Sequence, residues 1–241
     1  MAQQRADIAL VERGFFESRA KAQEAIAAGL VTVDGRPIRK SSERLGEGAA
    51  IAAARPHPWV SRGGVKLAAA LDQFGIDPRG KTCLDVGAST GGFTHVLLEG
   101  GAAKVYAVDV GHDQLDARLK GDPRVVAREC VDARTLAPGD APSFDIAVVD
   151  VSFISLKLVL PAVARLCAPH AHLVALIKPQ FEAGRRHLKK GIVRTAAVQA
   201  AVCDEIAACL TELGFEVLSV LPSPILGRDG NREFLIGAKA P

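Results

Sequence analysis

The chain of 241 residues predicts an α/β protein: a Rossmann-like, doubly wound sheet of seven strands, preceded by a small α+β module. Three observations carry that expectation. From about residue 60 onward, short apolar runs alternate with segments of helical apolar spacing, as βα units require. One of those runs, Leu84-Asp85-Val86, breaks into the glycine-rich turn Gly87-Ala88-Ser89-Thr90-Gly91-Gly92-Phe93, and the next strand ends in Asp109. Pro56 and Pro58 punctuate the chain where the composition changes, because proline stops regular structure on both sides.

Each element follows from local pattern. In the module, residues 6–13 and 19–28 carry helical spacing (Ile8, Leu10, Val11; Ala22, Ala25, Ile26), with Ser18 as N-cap and Gly29 as C-cap of the second helix. The alternating segment Leu30-Val31-Thr32-Val33 then meets Asp34-Gly35, a tight-turn pair. This module is expected to span residues 1–55, a linker residues 56–60 and the sheet domain residues 61–241. In the sheet domain, strands are expected at 82–86, 105–110, 125–128, 145–150, 173–178, 216–221 and 233–238. Helices are expected at 65–74, 93–99, 114–119, 156–167 and 196–213. The last two strands follow one another without a helix, and Pro222 and Pro224 fall between them, where proline is tolerated.

Composition narrows the class. Hydrophobic residues at 49% with charged residues at 24% describe a globular chain. Residues 1–7 are polar with no apolar stretch behind them, and no run of about 18 apolar residues occurs, which predicts a cytoplasmic protein without a membrane span. The five cysteines are scattered through apolar segments, with neither zinc spacing nor a C-x-x-C pair, so no metal site is expected. A net charge of +3 does not by itself announce nucleic-acid binding. Any such role rests on local clusters: Arg36, Arg39, Lys40 and Arg44 in the module, and Arg185, Arg186, His187, Lys189 and Lys190 between Gly184 and Gly191.

The glycine turn discriminates among ligands. Glycine lets the backbone approach a ligand where a Cβ would collide, and ligands of open α/β sheets bind at the carboxyl ends of the strands. A dinucleotide fingerprint needs G-x-G-x-x-G and a P-loop needs Gly-Lys-Ser/Thr. Here the spacing is G-x-x-x-G-G without lysine. The pattern looks like the S-adenosylmethionine (SAM) loop of a class I methyltransferase, with Asp109 placed to accept from both ribose hydroxyls. Simple turn chemistry after a strand is the alternative reading. The expected ligand edge collects Asp85, Gly87, Ala88, Ser89, Thr90, Gly91, Gly92, Phe93, Asp109, Val110, Asp132, Ala133 and Asp150.

Motifs along the whole chain extend the reading. The module's Arg5-Ala6-Asp7, Ser18-Arg19, Ala25-Ile26-Ala27-Ala28-Gly29 and Val31-Thr32-Val33-Asp34-Gly35 resemble the ribosomal protein S4-like RNA-binding domain. That resemblance implies structured RNA as partner, met by Arg5, Arg19, Lys21, Arg36, Arg39 and Lys40; such RNA is read through phosphates, 2′-hydroxyls and shape. The remaining motifs are Val60-Ser61-Arg62-Gly63-Gly64-Val65-Lys66-Leu67, Asp150-Val151-Ser152-Phe153-Ile154-Ser155-Leu156 and Lys178-Pro179-Gln180-Phe181-Glu182. With the glycine turn and Tyr106-Ala107-Val108-Asp109, they make the chain resemble the TlyA family of ribosomal RNA 2′-O-methyltransferases, formerly called haemolysins, whose catalytic domain is FtsJ-like. The resemblance implies SAM as donor, cytidine ribose of 16S or 23S rRNA, free or in ribosomal subunits, as acceptor, and a catalytic set Lys66, Asp150, Lys178 and Glu233. Two departures are visible: Asp132 stands where relatives commonly have asparagine, and Gly191-Ile192-Val193-Arg194 ends in Thr195 where an acid is common.

The chemistry agrees with those residue types. Methylating a ribose hydroxyl is an in-line displacement, so the enzyme must align the oxygen and take its proton. Lysine acts as a base only when neutral; desolvation and a second lysine disfavour the ammonium, and a nearby carboxylate favours it. The sequence leaves that balance open at Lys178. Asp150 is assigned to orienting Lys178, and Lys66 and Glu233 to positioning the ribose; an ordinary Lys178–Glu233 ion pair is the alternative. Arg62 and the basic loop with Arg185, Arg186, Lys189 and Lys190 are expected to grip RNA phosphates, a contact that weakens with salt. Two other functions stand beside this one: a membrane-active haemolysin, and a SAM-binding RNA module without catalysis.

Overall fold

A computed structural model describes residues 3–227 and 229–241, which form two compact units, one ending at Pro58 and the other beginning at Trp59. Trp59 and Val60, expected in a linker, instead pack into the core of the second unit.

The first unit runs β1 (Gln3–Arg5), α1 (Ala6–Glu12), α2 (Arg19–Ala27), β2 (Val31–Val33), β3 (Arg36–Pro37), β4 (Arg44–Gly46) and β5 (Ile51–Ala53). Ser18 caps α2 as its sequence position suggests, its Oγ accepting from the Lys21 amide, and Gly29 follows at φ +73°. Four strands, β1, β3, β4 and β5, escape pattern reading because each has only two or three residues. They form a β1–β4 pair and a β3–β2–β5 sheet. Leu10, Phe16, Ile26, Val31 and Leu45 fill the small core.

At the centre of this unit, the carboxylate of Asp7 is completely buried. It accepts from Arg5 Nε at 3.0 Å, Arg19 Nη2 at 2.8 Å and Gln23 Nε2 at 2.7 Å, which ties β1, α1 and α2 together. The bond from Arg5, with those from Arg19 and Gln23, holds the Asp7 carboxyl far below the usual carboxylate range despite burial. Arg5 and Arg19, both expected to meet RNA, are thus engaged within the fold.

The second unit contains α3 (Gly63–Phe74), β6 (Thr82–Val86), α4 (Gly92–Glu99), β7 (Lys104–Val108), α5 (Ala117–Lys120), β8 (Val125–Arg128), β9 (Phe144–Val149), α6 (Leu156–Ala164), β10 (Cys167–Ile177), α7 (Pro179–Glu182), α8 (Ala196–Glu212), β11 (Glu216–Pro222) and β12 (Phe234–Lys239). Its seven-stranded sheet has the order β11-β12-β10-β9-β6-β7-β8. Strands β10, β9, β6, β7 and β8 are parallel, and β12 inserts antiparallel between β10 and β11. The order reverses between β6 and β9, the crevice where ligands of such sheets bind. Apolar side chains line both faces, among them Leu84, Ile146, Leu173 and Ile177, as strands covered on both sides require.

Three boundaries differ from the pattern reading by three residues or more, and the largest shift is at β10, which begins at Cys167 rather than at 173. Helix α6 ends at Ala164 rather than at residue 167, because the chain turns into β10 at Cys167, which pairs with Phe144 of β9. Helix α5 starts at Ala117 rather than 114, because the Gln114 and Leu115 amides donate instead to Glu129 Oε1 at 2.7 and 3.2 Å.

A stability prediction follows from Asp7. Hydrogen bonds to a charged group are worth about 1.5–3 kcal/mol each, less here because the Arg5 and Arg19 side chains are 37% and 56% exposed. Asp7→Asn should lower the opening free energy of α1 and α2 amides at pH 7 by about 2 kcal/mol, read by hydrogen exchange on the full chain. Because the folded carboxyl is depressed, its contribution is complete above the unfolded value and declines as pH falls below about 4; the wild-type advantage should shrink there. Equal protection in both proteins at pH 7 would contradict the anchoring role.

Candidate active site

Four charged residues from distant parts of the chain meet at the carboxyl rim of the sheet. Asp150 leaves β9, Lys178 leaves β10, and Glu233 enters β12 opposite Lys178, since Ile177 pairs with Phe234. Lys66 lies in the first turn of α3. Lys66 Nζ stands 2.5 Å from Glu233 Oε2, and both side chains are buried. Lys178 Nζ stands 2.6 Å from Asp150 Oδ1 and donates to Ser152 Oγ at 2.7 Å. The alternative pairing of Lys178 with Glu233 does not occur; each lysine has its own carboxylate.

A cavity of about 550 Å³ opens beside Asp150, at the ends of β6, β7 and β9. Gly87, Ser89, Asp109, Val110, Asp132, Ala133 and Asp150 line it, seven of the residues expected at the ligand edge. Gly87 is required on two counts: it takes φ +83°, and a Cβ there would strike the Asp150 carbonyl. Asp109 is oriented by backbone donors, with the Ser89 amide on Oδ2 at 2.8 Å and the Gly111 amide on Oδ1 at 2.7 Å. Each oxygen keeps lone-pair capacity for a ligand. Ser89 adopts φ +47°, a costly conformation for a residue with a Cβ, held here by that bond. Asp132 is gripped by Arg134, Nε to Oδ1 at 3.0 Å and Nη2 to Oδ2 at 2.5 Å, which keeps its carboxyl below the usual range.

The other expected edge residues stand outside the cavity wall. Asp85 is the clearest correction: it is fully buried within β6, and accepts from Thr94 Oγ1 at 2.6 Å. Burial pushes its carboxyl up to about 7; the Thr94 bond opposes that rise and the Asp150 and Asp109 charges add to it. Ala88 and Phe93 belong to the core, while Gly91, at φ +92°, N-caps α4 and leads into buried Gly92. Thr90 is exposed but away from the wall. These residues shape the turn instead of lining the cavity.

The basic residues divide similarly. Lys21 pairs with Glu17 at 3.0 Å, while Arg36, Arg39 and Lys40 are exposed. In the second unit, Arg62 donates to the Leu226 carbonyl at 2.7 Å. Arg185, Arg186, Lys189 and Lys190 are exposed, between Gly184 at φ +71° and Gly191 at φ +78°. The end of this loop is tied down by buried Asn231, which accepts from the Val193 amide and donates to the Gly191 carbonyl.

Pattern reading missed the apparatus that joins the two loops at Asp150 and Lys178. Phe153 is 91% exposed, adopts φ +65°, lines the cavity, and packs against Phe181 with ring centroids 5.0 Å apart. Ser155 Oγ donates to Glu182 Oε2 at 2.5 Å, and the Leu156 amide donates to Glu182 Oε1 at 2.8 Å. Gln114, which accepts from Ser89 Oγ at 3.1 Å, also lines the cavity. Phe153, Phe181 and Glu182 fall inside motifs quoted from the sequence; the strained backbone and exposure that single them out have no sequence signature.

Comparisons with known proteins agree with this architecture. The FtsJ-like methyltransferase model matches residues 59–240, and the S4 domain model matches residues 4–51. The 16S/23S rRNA (cytidine-2′-O)-methyltransferase TlyA of Mycobacterium tuberculosis is 43% identical over 236 residues, 96% of this chain and 88% of that protein. Hemolysin A of Brachyspira hyodysenteriae is 40% identical over 227 residues, 92% of this chain and 94% of that protein. A solved hemolysin-type protein of Streptococcus thermophilus matches with TM-score 0.79 and 40% identity, covering 100% of this chain and 89% of its own. The chain belongs to the FtsJ-like methyltransferase family, in the TlyA group that joins an S4 domain to the catalytic fold.

Proposed function

We propose that this protein is a cytoplasmic, SAM-dependent methyltransferase acting on the 2′-hydroxyl of cytidine ribose in 16S or 23S rRNA. The observation that carries the reading is the pair of lysine–carboxylate contacts, Lys66–Glu233 and Lys178–Asp150, on the same rim as a cavity whose wall holds Asp109. Ion pairs withdrawn from water add little stability relative to apolar packing, and a module that only bound SAM and RNA would have no use for two of them. The same assignment is the function named for the TlyA relative.

The cavity fits SAM by the chemistry of its donors and acceptors. Asp109 offers a fixed carboxylate suited to a ribose diol, the glycine turn brings backbone close without a phosphate-binding lysine, and Val110 and Ala133 give apolar surface for a purine ring. Asp132, held ionised by Arg134, is an acceptor for the adenine amino group despite the departure from asparagine. When bound, SAM supplies an electrophilic sulfonium methyl.

The chain's own residues then do three things. Lys66 and Glu233 hold the acceptor ribose so that its O2′ lies in line for displacement. Lys178, in its neutral form, takes the O2′ proton during transfer, with Asp150 fixing the direction of its side chain. Phe153 presents an apolar face beside the reacting centre on which the acceptor base stacks, an interaction worth about 1–3 kcal/mol per base. Arg36, Arg39 and Lys40 in the S4 unit, and Arg185, Arg186, Lys189 and Lys190 beside the catalytic rim, contact RNA phosphates.

Two measurements test the assignments. Asp109→Ala should weaken SAM binding by about 1.5–3 kcal/mol, the value of a hydrogen bond to a charged group, in calorimetric titration; unchanged affinity would remove Asp109 from the cofactor site. Lys178→Ala should lose about 10²- to 10⁴-fold in single-turnover methyl transfer at saturating SAM and rRNA. Lys178→Arg should not restore it, because guanidinium does not release its proton. A near-normal rate for the arginine variant would show that Lys178 supplies charge alone.

A further inference from the structure

We infer that Ser152 is a positioning residue for the methyl-transfer step, acting through Lys178 as the hydrogen-bond acceptor that aims its amine. The inference rests on the reading of Lys178 as the proton acceptor. A neutral amine carries two N–H donors and one lone pair. Ser152 Oγ accepts one N–H at 2.7 Å, while Asp150 Oδ1, 2.6 Å away, makes an ion-pair contact without the alignment of a hydrogen bond. With one donor engaged by Ser152 and Asp150 close on one side of the amine, the lone pair is directed away from both. Without the Ser152 hydroxyl the amine keeps no aligned hydrogen bond, and rotation about Cε–Nζ samples other directions.

The rest of the loop is built to hold that distance. Ser152 and Lys178 belong to different segments, and contacts C-terminal to each fasten those segments together. Phe153, the next residue after Ser152, packs on Phe181 three residues after Lys178. Ser155 and the Leu156 amide both bind Glu182, four residues after Lys178. The positive φ of Phe153 turns its ring outward over Phe181 while Ser152 stays on the cavity wall. Ser152 itself is exposed and contributes nothing to the core, so its hydroxyl can be removed without opening a cavity. The other charged groups around Lys178 are already engaged: Glu233, across the sheet register, with Lys66, and Glu182, on α7, with the Ser155–Leu156 turn.

The test is single-turnover methyl transfer to rRNA by the full-length enzyme at saturating SAM and RNA, with separate binding titrations for both. Loss of one hydrogen bond of ordinary strength corresponds to about 3- to 10-fold in rate. Ser152→Ala should slow transfer by that factor with SAM and RNA affinities unchanged, and Ser152→Thr, which keeps the hydroxyl, should restore the rate to within about 2-fold. In a Lys178→Ala background, Ser152→Ala should cost nothing more, because the residue through which it acts is gone. An unchanged rate for Ser152→Ala, a loss matched by weaker RNA binding, a loss that threonine does not repair, or an undiminished effect in the Lys178→Ala background would each overturn the assignment. A wild-type enzyme that methylates no ribose O2′ would instead overturn the reading of the whole site, and this inference with it.

Discussion

The site depends on keeping two lysines and two carboxylates together at the edge of an otherwise apolar sheet. A charge taken out of water is costly unless it is paired at close range, and here each charge comes from a different element. Lys66 is carried by α3, Asp150 by the end of β9, Lys178 by the end of β10, and Glu233 by the start of β12. Topology makes this possible. Because β12 inserts antiparallel beside β10, the start of one strand lies against the end of the other, and a glutamate near the C-terminus reaches a lysine 167 residues earlier in the chain. A sheet with all strands parallel would put the start of β12 at the opposite edge.

The cavity follows from the same edge. The chain leaves β6 and β9 toward opposite sides where the strand order reverses, and the turn after β6 passes so close to the Asp150 carbonyl that only glycine fits at residue 87. That approach brings the cavity wall against the residue paired with Lys178, so the cavity and the Lys178 contact share Asp150. Asp109 and Ser89 complete the wall through an amide–carboxylate bond that fixes a strained turn. Beneath them, Asp85 and Thr94 tie β6 to α4 from within the core.

Much of this was legible in the chain because it depends on local rules. Strand ends, the glycine turn, the position of Asp109 and the Ser18 cap are matters of spacing and turn chemistry, and motifs spread over the chain carried the four charged residues. What was not legible depends on tertiary contacts. Nothing in the pattern distinguishes Asp85, buried in β6, from Asp109, one strand over and open to the cavity. That Arg5 and Arg19 meet at a buried Asp7 is likewise visible only in the fold. Phe153 is one of nine phenylalanines in the sequence, and only a positive φ and its exposure mark it out. The two- and three-residue strands of the S4 unit are too short to show a period.

The central claim is that this rim of paired charges transfers a methyl group to a ribose hydroxyl of ribosomal RNA. It is tested most directly by mapping 2′-O-methyl positions in rRNA from cells that carry the protein and from cells that lack it. The account predicts at least one cytidine that is 2′-O-methylated only when the protein is present. Identical 2′-O-methylation maps in the two cell lines would contradict it.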